Sequence, residues 1–524
     1  MKAWSSQLSP NDLQVKTKKS LGAIIILTLK LSLLTHCVPH FSSPPLSLQP
    51  GFVGPTYPQA PLITTNHFAS AENKVRARLV WRIDFTDARF GSPGSTDLNG
   101  DGVLDIVMGG GKEQGQYKRE IVAINGASGQ RLWTHEVKSR VFASPLFIDI
   151  NQDSIPDVIL GLTNNIQGCE VLNTKTQDVI ALDGTDGTLI WSLEQVNAAR
   201  PLGIEIGEGN FGTPVMTSDI DQDGFKDIVV IHSGGNVQSR PAAKIFVISA
   251  QNGYIIEVFE SHDQAEAYST PSINSFASPT RLILGTGGET LPGSISEIEI
   301  NNHQLIWSVK SKQLGFISSP TIYQGKDNRI QVIVNSFNAT TYKIDANSGQ
   351  VVWTHTNPGS QTYSSPVVGH FNEDGVLDVF TQYSLGVFPR YTKNVQVWLD
   401  GKTGQLIHSH AHNRAGSASP SVIDIDHDGF DEILSTATSG PFGDQSHLIL
   451  FDGRTHAPLF EIEFSKATAV TPIVADIDNN KQLDIITGFG DNIVRFELET
   501  PKEPIVKWGT FRGENANGTL TQNH

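Results

Sequence analysis

The sequence has 524 residues, a formal net charge of −16 and 38% hydrophobic residues. Residues 1–36 carry five lysines against one aspartate, so the remainder is more acidic still, which argues against nucleic acid as a partner. Two cysteines cannot build a disulfide framework, and 48 glycines, 27 prolines and many Val, Ile and Thr runs favour β-structure with little helix.

The N-terminal segment has the pattern of an export signal. Lys16, Lys18 and Lys19 precede the apolar run LGAIIILTLKLSLL, which predicts a signal peptide or membrane anchor over residues 1–36. The stretch LTHC, ending at Cys37, resembles a bacterial lipobox, with His36 where that motif has a small residue. We therefore predict an exported protein in the periplasm, on the outer membrane as a lipoprotein acylated at Cys37, or at the cell surface. Membrane contact is expected only through this lipid anchor or N-terminal segment.

Residues 37–75 are rich in Pro and Ser and predict a disordered linker. Internal repeats follow over residues 76–512, and residues 513–524 predict a disordered tail. Each repeat contains a small residue followed by Pro, a strand ending in an acidic loop, a second apolar strand, and a hairpin that closes on Trp. The proline or its equivalent recurs about every 54 residues, as in propeller blades with insertions. These positions are Pro93, Pro145, Pro214, Pro271, Pro320, Pro366, Pro420 and Pro472.

Eight four-stranded units predict an all-β, eight-bladed propeller, because a blade buries both of its apolar faces only by packing between neighbours. The ring must then be closed by a strand from one end of the chain. The segment RLVW, ending at Trp81, resembles the outer strands of other repeats and could close the ring. The segment IVKW, ending at Trp508, could fill the same outer position instead. The sequence leaves this choice open.

The third repeat contains the clearest candidate metal site. Asp219, Asp221, Asp223 and Asp227 occupy positions one, three, five and nine of a loop, with Gly224 at the turn. Three carboxylates on one side of a loop, together with a backbone carbonyl, make an oxygen cradle for calcium. The loop is followed by the apolar run IVVI, so the ion is expected to join two strands.

The repeats resemble FG-GAP (integrin α-like) repeats merged with the Trp-terminated repeat of PQQ-type propellers, and WGTFRGENANGT resembles a tail segment common in such proteins. The resemblance implies further calcium loops at matching positions. His370 replaces the first aspartate of the sixth loop, Ser154 and Lys481 replace the turn glycine in the second and eighth, and blades four and five have no such loop. The implied ligands are Asp97, Asn99, Asp101, Asp105, Asp149, Asn151, Asp153, Asp157, Asn372, Asp374, Asp378, Asp424, Asp426, Asp428, Glu432, Asp476, Asp478, Asn480 and Asp484.

We interpret these loops as structural, because a catalytic metal also needs an open position and a nearby acid or base. A second hypothesis concerns His408, His410 and His412, whose alternation on a strand would place three imidazoles on one face and could bind zinc. A ligand-binding surface is expected on the glycine-rich loops that follow the second strands, together with the long connection from Glu194 to Asn210. The polar candidates there are Lys112, Arg200, Glu289 and Arg390.

Two classes of function remain open. The first is a non-enzymatic, calcium-binding propeller at the cell envelope or surface that binds a protein or glycan partner, in adhesion or as a scaffold. The second is a polysaccharide-active enzyme, such as a calcium-containing propeller lyase. A third option is an outer-membrane assembly scaffold lipoprotein. PQQ-dependent catalysis is not expected, because the dehydrogenases of that family carry a vicinal cysteine pair and Cys169 has no cysteine neighbour.

Overall fold

The computed structural model describes residues 63–67 and 75–520, with gaps at 112–117, 164–165, 168–169, 172–177, 201–205, 207–208, 235–240, 389, 414–415, 417, 439–444 and 514–516. The predicted signal segment, Cys37, Lys112 and Cys169 lie outside the described residues. Among those that are described, no helix has the length and apolar character needed to cross a membrane.

Eight sheets of the described chain, each with four antiparallel strands, are the blades of a β-propeller, as predicted. We number the blades from the N-terminal end and the strands in chain order. Blade one consists of β3 Gly94–Thr96, β4 Asp105–Gly109, β5 Glu120–Ile124 and β6 Arg131–Glu136, and blade two of β7 Leu146–Ile148, β8 Asp157–Gly161, β11 Val179–Leu182 and β12 Leu189–Ser192. Blade three consists of β13 Val215–Met216, β14 Ile228–His232, β15 Lys244–Ile248 and β16 Ile255–Glu260, and blade four of β17 Ser272–Asn274, β18 Arg281–Gly285, β19 Ser294–Glu299 and β20 Leu305–Lys310.

The last four blades follow the same order from the inner to the outer strand. Blade five consists of β21 Thr321–Gln324, β22 Ile330–Ser336, β23 Thr340–Asp345 and β24 Val351–Thr356, and blade six of β26 Val367–Gly369, β27 Asp378–Val387, β28 Arg390–Leu399 and β29 Leu406–His412. Blade seven consists of β30 Ser421–Asp424, β31 Glu432–Thr438, β32 Ser446–Phe451 and β33 Pro458–Phe464, and blade eight of β34 Ile473–Ala475, β35 Leu483–Phe489, β36 Asn492–Glu499 and β2 Arg76–Asp84.

The N-terminal strand β2 closes the ring. It pairs antiparallel with β36, with Arg78 opposite Glu497, and supplies the outer strand of blade eight. The competing C-terminal segment, β37 Ile505–Trp508, instead pairs with β30 on the inner side of blade seven. Both ends of the described chain therefore join blades that are distant from them in sequence.

The remaining elements are short. Ile63–His67 (β1) lies in the predicted linker but pairs with β33, so the disorder expected for residues 37–75 does not extend to this segment. Ser360–Gln361 (β25) pairs with β27, and Ile166–Gln167 (β9) pairs with Glu170–Val171 (β10). The one α-helix among the described residues is α1, Leu193–Ala199, whose N-terminus is capped by the Ser192 hydroxyl.

The core lies between blades, because alternate side chains of the inner strands point to opposite faces. Ile106 and Met108 pack with Ile486 of blade eight, whereas Val107 packs with Val158 of blade two. All five of these side chains are fully buried. Burial on both faces explains the near-continuous apolar runs of the second and third strands.

In five blades, the tryptophan that ends the repeat connects the blade to the next one. Its ring is buried, and its Nε1 donates a hydrogen bond to a backbone carbonyl in the turn between the third and fourth strands of the following blade. The pairs are Trp81 with Gly126, Trp133 with Gly184, Trp191 with Ala250, Trp307 with Ala346 and Trp353 with Gly401.

The small residues before each proline have a similar inter-blade role. A backbone N–H in one blade donates to a Ser or Thr hydroxyl in the next, at distances of 2.9 to 3.1 Å. The pairs are Ser144 to Thr213, Ser319 to Ser365, Ser365 to Ser419, Ser419 to Thr471 and Thr471 to Ser92. The last pair links blade eight to blade one.

The C-terminal segment lies against the inner strands. Gly509 accepts a hydrogen bond from Val474, and Asn517 accepts one from Ile273. Thr519–Leu520 (β38) pairs in parallel with β21, within the predicted disordered tail. The segment thereby satisfies backbone groups that the innermost strands leave unpaired.

Candidate functional site

The two ends of the blades carry different chemistry. At one end, the acidic loops contact the turns between third and fourth strands; for example, Gly184 N donates to Asp157 at 3.1 Å. At the other end, the connections between blades contact the ends of the second strands, as where Thr163 N donates to Arg140 O. We call these the acidic face and the opposite face.

The carboxylate at position nine anchors each acidic loop. It is buried at the start of the second strand and accepts a hydrogen bond from the backbone N–H of the residue that directly follows the first ligand position. Asp227 accepts from Ile220 at 2.6 Å and Glu432 from Ile425 at 2.8 Å. The other four anchors are Asp105, Asp157, Asp378 and Asp484.

Burial raises the pKa of all six anchors, and neighbouring loop carboxylates raise it further in most of them. The pKa reaches about 6 at Asp227, about 7 at Asp378 and about 9 at Glu432. A divalent cation among these carboxylates would reverse this effect, because its charge favours their ionised forms.

Position six has a left-handed backbone in every loop. Gly102, Gly224 and Gly429 have φ between 82° and 95°, which glycine adopts without strain. Ser154 and Lys481 occupy the same conformation at 77° and 69°. Lys481 therefore adopts a backbone conformation that is strained for a residue other than glycine, and the loop shape is kept without glycine.

The third and seventh loops have the best arrangement for a cation. Asp219, Asp221 and Asp227 each offer an oxygen within 4.8 Å of the others, and Asp424, Asp426 and Glu432 form an equivalent group. A third such group, in the eighth loop, holds an arginine side chain. In the third loop, Oδ1 of Asp227 is buried and has no hydrogen-bond partner among the described residues. An unsatisfied buried carboxylate oxygen fits a metal ligand, so these residues fit calcium.

The first, second and sixth loops are partly satisfied by amide groups. Asn151 Nδ2 lies 3.1 Å from Asp153 Oδ2 and 3.4 Å from Asp157 Oδ1. Asn372 Nδ2 donates to Asp378 at 3.0 Å in the sixth loop, and Asn125 Nδ2 lies 3.4 Å from Asp105 in the first. A cation would have to displace these contacts, so these loops fit calcium less well than the third and seventh.

The eighth loop contains a built-in cation. The guanidinium of Arg495, which is 1% exposed, bonds both oxygens of Asp484 at 2.7 and 2.9 Å and Asp478 at 2.6 Å. Arginine satisfies two of the carboxylates that calcium would need. This contact and the strained backbone at Lys481 both predict weak calcium binding at this loop.

Sequence reasoning missed a set of aspartates beside the loops. Asp183, Asp400 and Asp452 follow the third strands, and one oxygen of each closes its own turn by accepting from Thr185, Thr403 or Thr455. The second oxygen of Asp183 lies 3.1 Å from Asn151 Nδ2 in the acidic loop. Asp183 followed by Gly184 is typical of a hairpin turn, and no local pattern indicates that this turn meets the acidic loop.

The histidine row divides into separate contacts. His408 stacks on His456 with ring centroids 5.1 Å apart, and His410 packs edge-on against Phe451. His412 instead contacts Glu461 and His447 of blade seven. The three rings share a face, as predicted, but the structure does not gather them around one point.

The opposite face has a pocket of about 260 Å³. Its wall combines the small hydroxyl residues of several blades with aromatic side chains. The aromatic residues are Phe90, Phe142, Phe211, Tyr268, Tyr363 and Phe511, and the hydroxyl residues are Ser92, Ser144, Thr163, Thr213, Ser233, Ser269, Thr270, Ser419 and Thr471. Such a wall offers stacking surfaces together with hydrogen-bonding groups.

The predicted polar candidates do not all belong to this pocket. Glu289 accepts a hydrogen bond from the pocket residue Tyr363 at 2.7 Å. Arg390 begins β28, one residue before Tyr391, whose hydroxyl donates to Gln361. Arg200 lies elsewhere, over the ring of Tyr254 beside the third acidic loop. Burial and Glu289 raise the pKa of Tyr363, so its hydroxyl stays protonated at neutral pH.

The comparisons with known proteins support the fold. Residues 75–279 match the PQQ_2 family, described as outer membrane protein assembly factor BamB. This match supports the PQQ-type part of the resemblance, and the FG-GAP part stays a prediction. The search of curated proteins found no match.

Solved structures share the propeller architecture at low sequence identity. A europium-containing methanol dehydrogenase has a TM-score of 0.56 and 9% identity, with 81% of this chain and 93% of that chain covered. The exotype rhamnogalacturonan lyase YesX has a TM-score of 0.54 and 14% identity, covering 81% and 75%. The rhamnogalacturonan lyase YesW has a TM-score of 0.54 and 12% identity, covering 85% and 81%.

Proposed function

We propose that this protein is a non-enzymatic, calcium-stabilised propeller of the cell envelope that binds a protein or glycan partner through the pocket on its opposite face. The observation that carries the proposal is the separation of the two sites. The acidic loops lie at one end of the blades, whereas the aromatic and hydroxyl pocket lies at the other.

Calcium in this proposal has a structural role. Three of the anchoring carboxylates, Asp105, Asp157 and Asp378, also contact the turn that receives a tryptophan from the preceding blade: Gly184, for example, donates its N–H to Asp157 and accepts from Trp133. An ion in the loop would therefore hold the loop, the turn and the blade contact together. Extracellular calcium sites commonly bind at about 10⁻⁴ to 10⁻³ M, which suits an exported protein.

The partner is expected to present a flat or extended surface to the aromatic wall. Tyr268 is 45% exposed, and Phe142 packs against Phe90 with ring centroids 5.1 Å apart. Rings with hydroxyls beside them suit sugar faces and peptide side chains. The description of the matching family as an outer membrane assembly factor supports an envelope location and a protein partner, and with Cys37 acylated the protein would be a scaffold lipoprotein.

A binding screen tests this proposal. The purified chain, with calcium present, is presented to a glycan array and used to capture envelope proteins. We expect a ligand whose binding is weakened at least about tenfold by Tyr268→Ala, as for a stacking aromatic residue. Tyr254→Ala is the matched control, because Tyr254 is equally exposed but lies outside the pocket. Equal loss in both variants, or no ligand at all, would count against the proposal.

A polysaccharide lyase is the second candidate, favoured by the shared fold with two rhamnogalacturonan lyases. In this candidate, a pocket residue would remove the proton at C5 of a uronic acid, the glycosidic bond at C4 would break as the C4–C5 double bond forms, and the leaving oxygen would take up a proton. Ultraviolet absorbance on rhamnogalacturonan and other uronate polymers tests it directly. Rising absorbance that Tyr268→Ala abolishes would establish an enzyme and overturn the non-enzymatic proposal.

A further inference from the structure

A cluster of two histidines and one glutamate lies between blades six and seven. His412 is on the outer strand of blade six, and His447 and Glu461 are on the third and fourth strands of blade seven. Glu461 pairs in register with Ile449, two residues from His447, so both side chains lie on the face that meets blade six. This cluster is separate from the acidic loops and from the aromatic pocket.

The three side chains converge on one point. His412 Nε2 lies 3.1 Å and His447 Nδ1 2.6 Å from the same Oε1 of Glu461. One ligand atom from each residue lies within 4.8 Å of the others. In a tetrahedral zinc site with bonds of about 2.1 Å, neighbouring ligand atoms are about 3.4 Å apart. Each imidazole nitrogen would therefore have to move less than about 1 Å away from the Glu461 oxygen to admit the ion.

The two rings are free to present a lone pair to a metal. His412 Nδ1 and His447 Nε2 are buried and have no hydrogen-bond partner among the described residues. A change of tautomer in either ring therefore breaks no hydrogen bond at the far nitrogen. The side chains of His412, His447 and Glu461 are 19%, 10% and 17% exposed, so an ion can reach them from solvent.

The ligand types select a class of metal. Two imidazole nitrogens favour zinc and similar transition metals, whereas calcium prefers an all-oxygen cradle. Hydrogen bonds from both histidines lower the pKa of Glu461 to about 2, so the carboxylate is negatively charged at neutral pH. The other histidines nearby are engaged elsewhere: His410 packs on Phe451, and His408 stacks on His456.

We propose that His412, His447 and Glu461 bind a zinc-class divalent metal that joins the outer strand of blade six to blade seven. Three protein ligands leave a fourth tetrahedral position for water. Blade six has His408 where other blades have the docking tryptophan, so this junction has no Trp-to-turn hydrogen bond of the kind seen in blades one, two, four and five. The metal would supply a link at the same junction.

Calorimetry with zinc tests the proposal. The chain is stripped of metal, the chelator is removed, and zinc is titrated with calcium in excess so that the acidic loops are occupied. We expect one zinc per chain. Glu461→Gln, which keeps the shape of the side chain, and His447→Ala should each raise the Kd more than about 100-fold, beyond the 10- to 100-fold typical for losing a supporting contact.

His410→Ala is the matched control, because His410 shares the strand and face of His412 but does not contact Glu461. Its zinc Kd should stay within about threefold of the wild-type value. Titration with cobalt gives a second readout, because tetrahedral cobalt bound to nitrogen absorbs visible light. No zinc binding, or binding unchanged in Glu461→Gln, would overturn the proposal. Binding lost instead in Asp219→Asn would place zinc in an acidic loop and would overturn it equally.

Discussion

His232 shows how one buried residue makes stability depend on pH. It is 1% exposed, packs against the rings of Phe211 and Phe246, and has no hydrogen-bond partner for either nitrogen among the described residues. Burial, with a smaller effect from Lys244, lowers the pKa of His232 to about 4. The folded protein therefore keeps this imidazole neutral under conditions in which the unfolded chain would protonate it.

The sign of the pH effect follows from that lowered pKa. The contribution of neutral His232 is complete above about pH 6.5, the unfolded value, and is lost as the pH falls towards 4. At pH 5 the free energy of unfolding has lost about 2 kcal/mol of this contribution. We predict that the free energy of unfolding falls by about 2 kcal/mol less in His232→Leu than in the wild type when the pH is lowered from 7 to 5. Chemical unfolding at both pH values measures this difference.

The exposed residue His262 provides the control, because His262→Leu should leave the pH dependence of the wild type unchanged. If His232→Leu loses stability as steeply as the wild type between pH 7 and pH 5, His232 is not the group responsible.

At the scale of the element, the acidic loops form a graded series on one framework. The third, seventh and eighth loops bring three carboxylates together, the second has an asparagine amide among its carboxylates, and the eighth also holds an arginine. The backbone is alike in all of them, since position six keeps a positive φ even at Lys481. The loop shape is therefore independent of its ligand, and the side chains decide whether calcium can bind.

The eighth loop allows a direct exchange of one cation for another. We predict that Arg495→Met destabilises the metal-free protein by about 3–5 kcal/mol, because Asp484 is left buried without its partner. Removing the guanidinium also frees Asp478 and Asp484 to bind calcium. Calcium should therefore restore more stability to Arg495→Met than it adds to the wild type, as measured by thermal unfolding with and without calcium.

Arg78→Met is the matched control on the adjacent strand, because Arg78 forms an exposed ion pair with Glu497. It should change stability little and should not alter the response to calcium. An Arg495→Met protein that responds to calcium as the wild type does would show that the guanidinium is not a substitute for the ion.

At the scale of the whole molecule, the repeat pattern predicted the eight blades because each blade repeats the same local signals. Alternating apolar strands, the proline and the final tryptophan are all visible within about 54 residues. The closing strand was left open, because Arg76–Asp84 and Ile505–Trp508 have similar local sequences. Pairing between β2 and β36 spans more than 400 residues, and no local pattern encodes that choice.

The candidate sites also divide into those that the local sequence shows and those that depend on distant contacts. Loop carboxylates could be read from their spacing, since one loop contains them all. Arg495, Asp183 and the pairing of His412 with His447 and Glu461 could not, because each depends on contacts between different strands or blades. The strand Ile63–His67 was missed because its Pro- and Ser-rich surroundings predict disorder, whereas its partner is the open edge of β33.

Calcium binding to the metal-free chain is the most direct test of the view that the acidic face holds structural ions. Calorimetry at pH 7.5 should detect at least two calcium ions per chain, and the double variant Asp219→Asn with Asp424→Asn should bind two fewer. Calcium should also raise the melting temperature of the wild type more than that of the double variant. A wild-type chain that binds no calcium, or a double variant that binds as many ions as the wild type, would contradict the account.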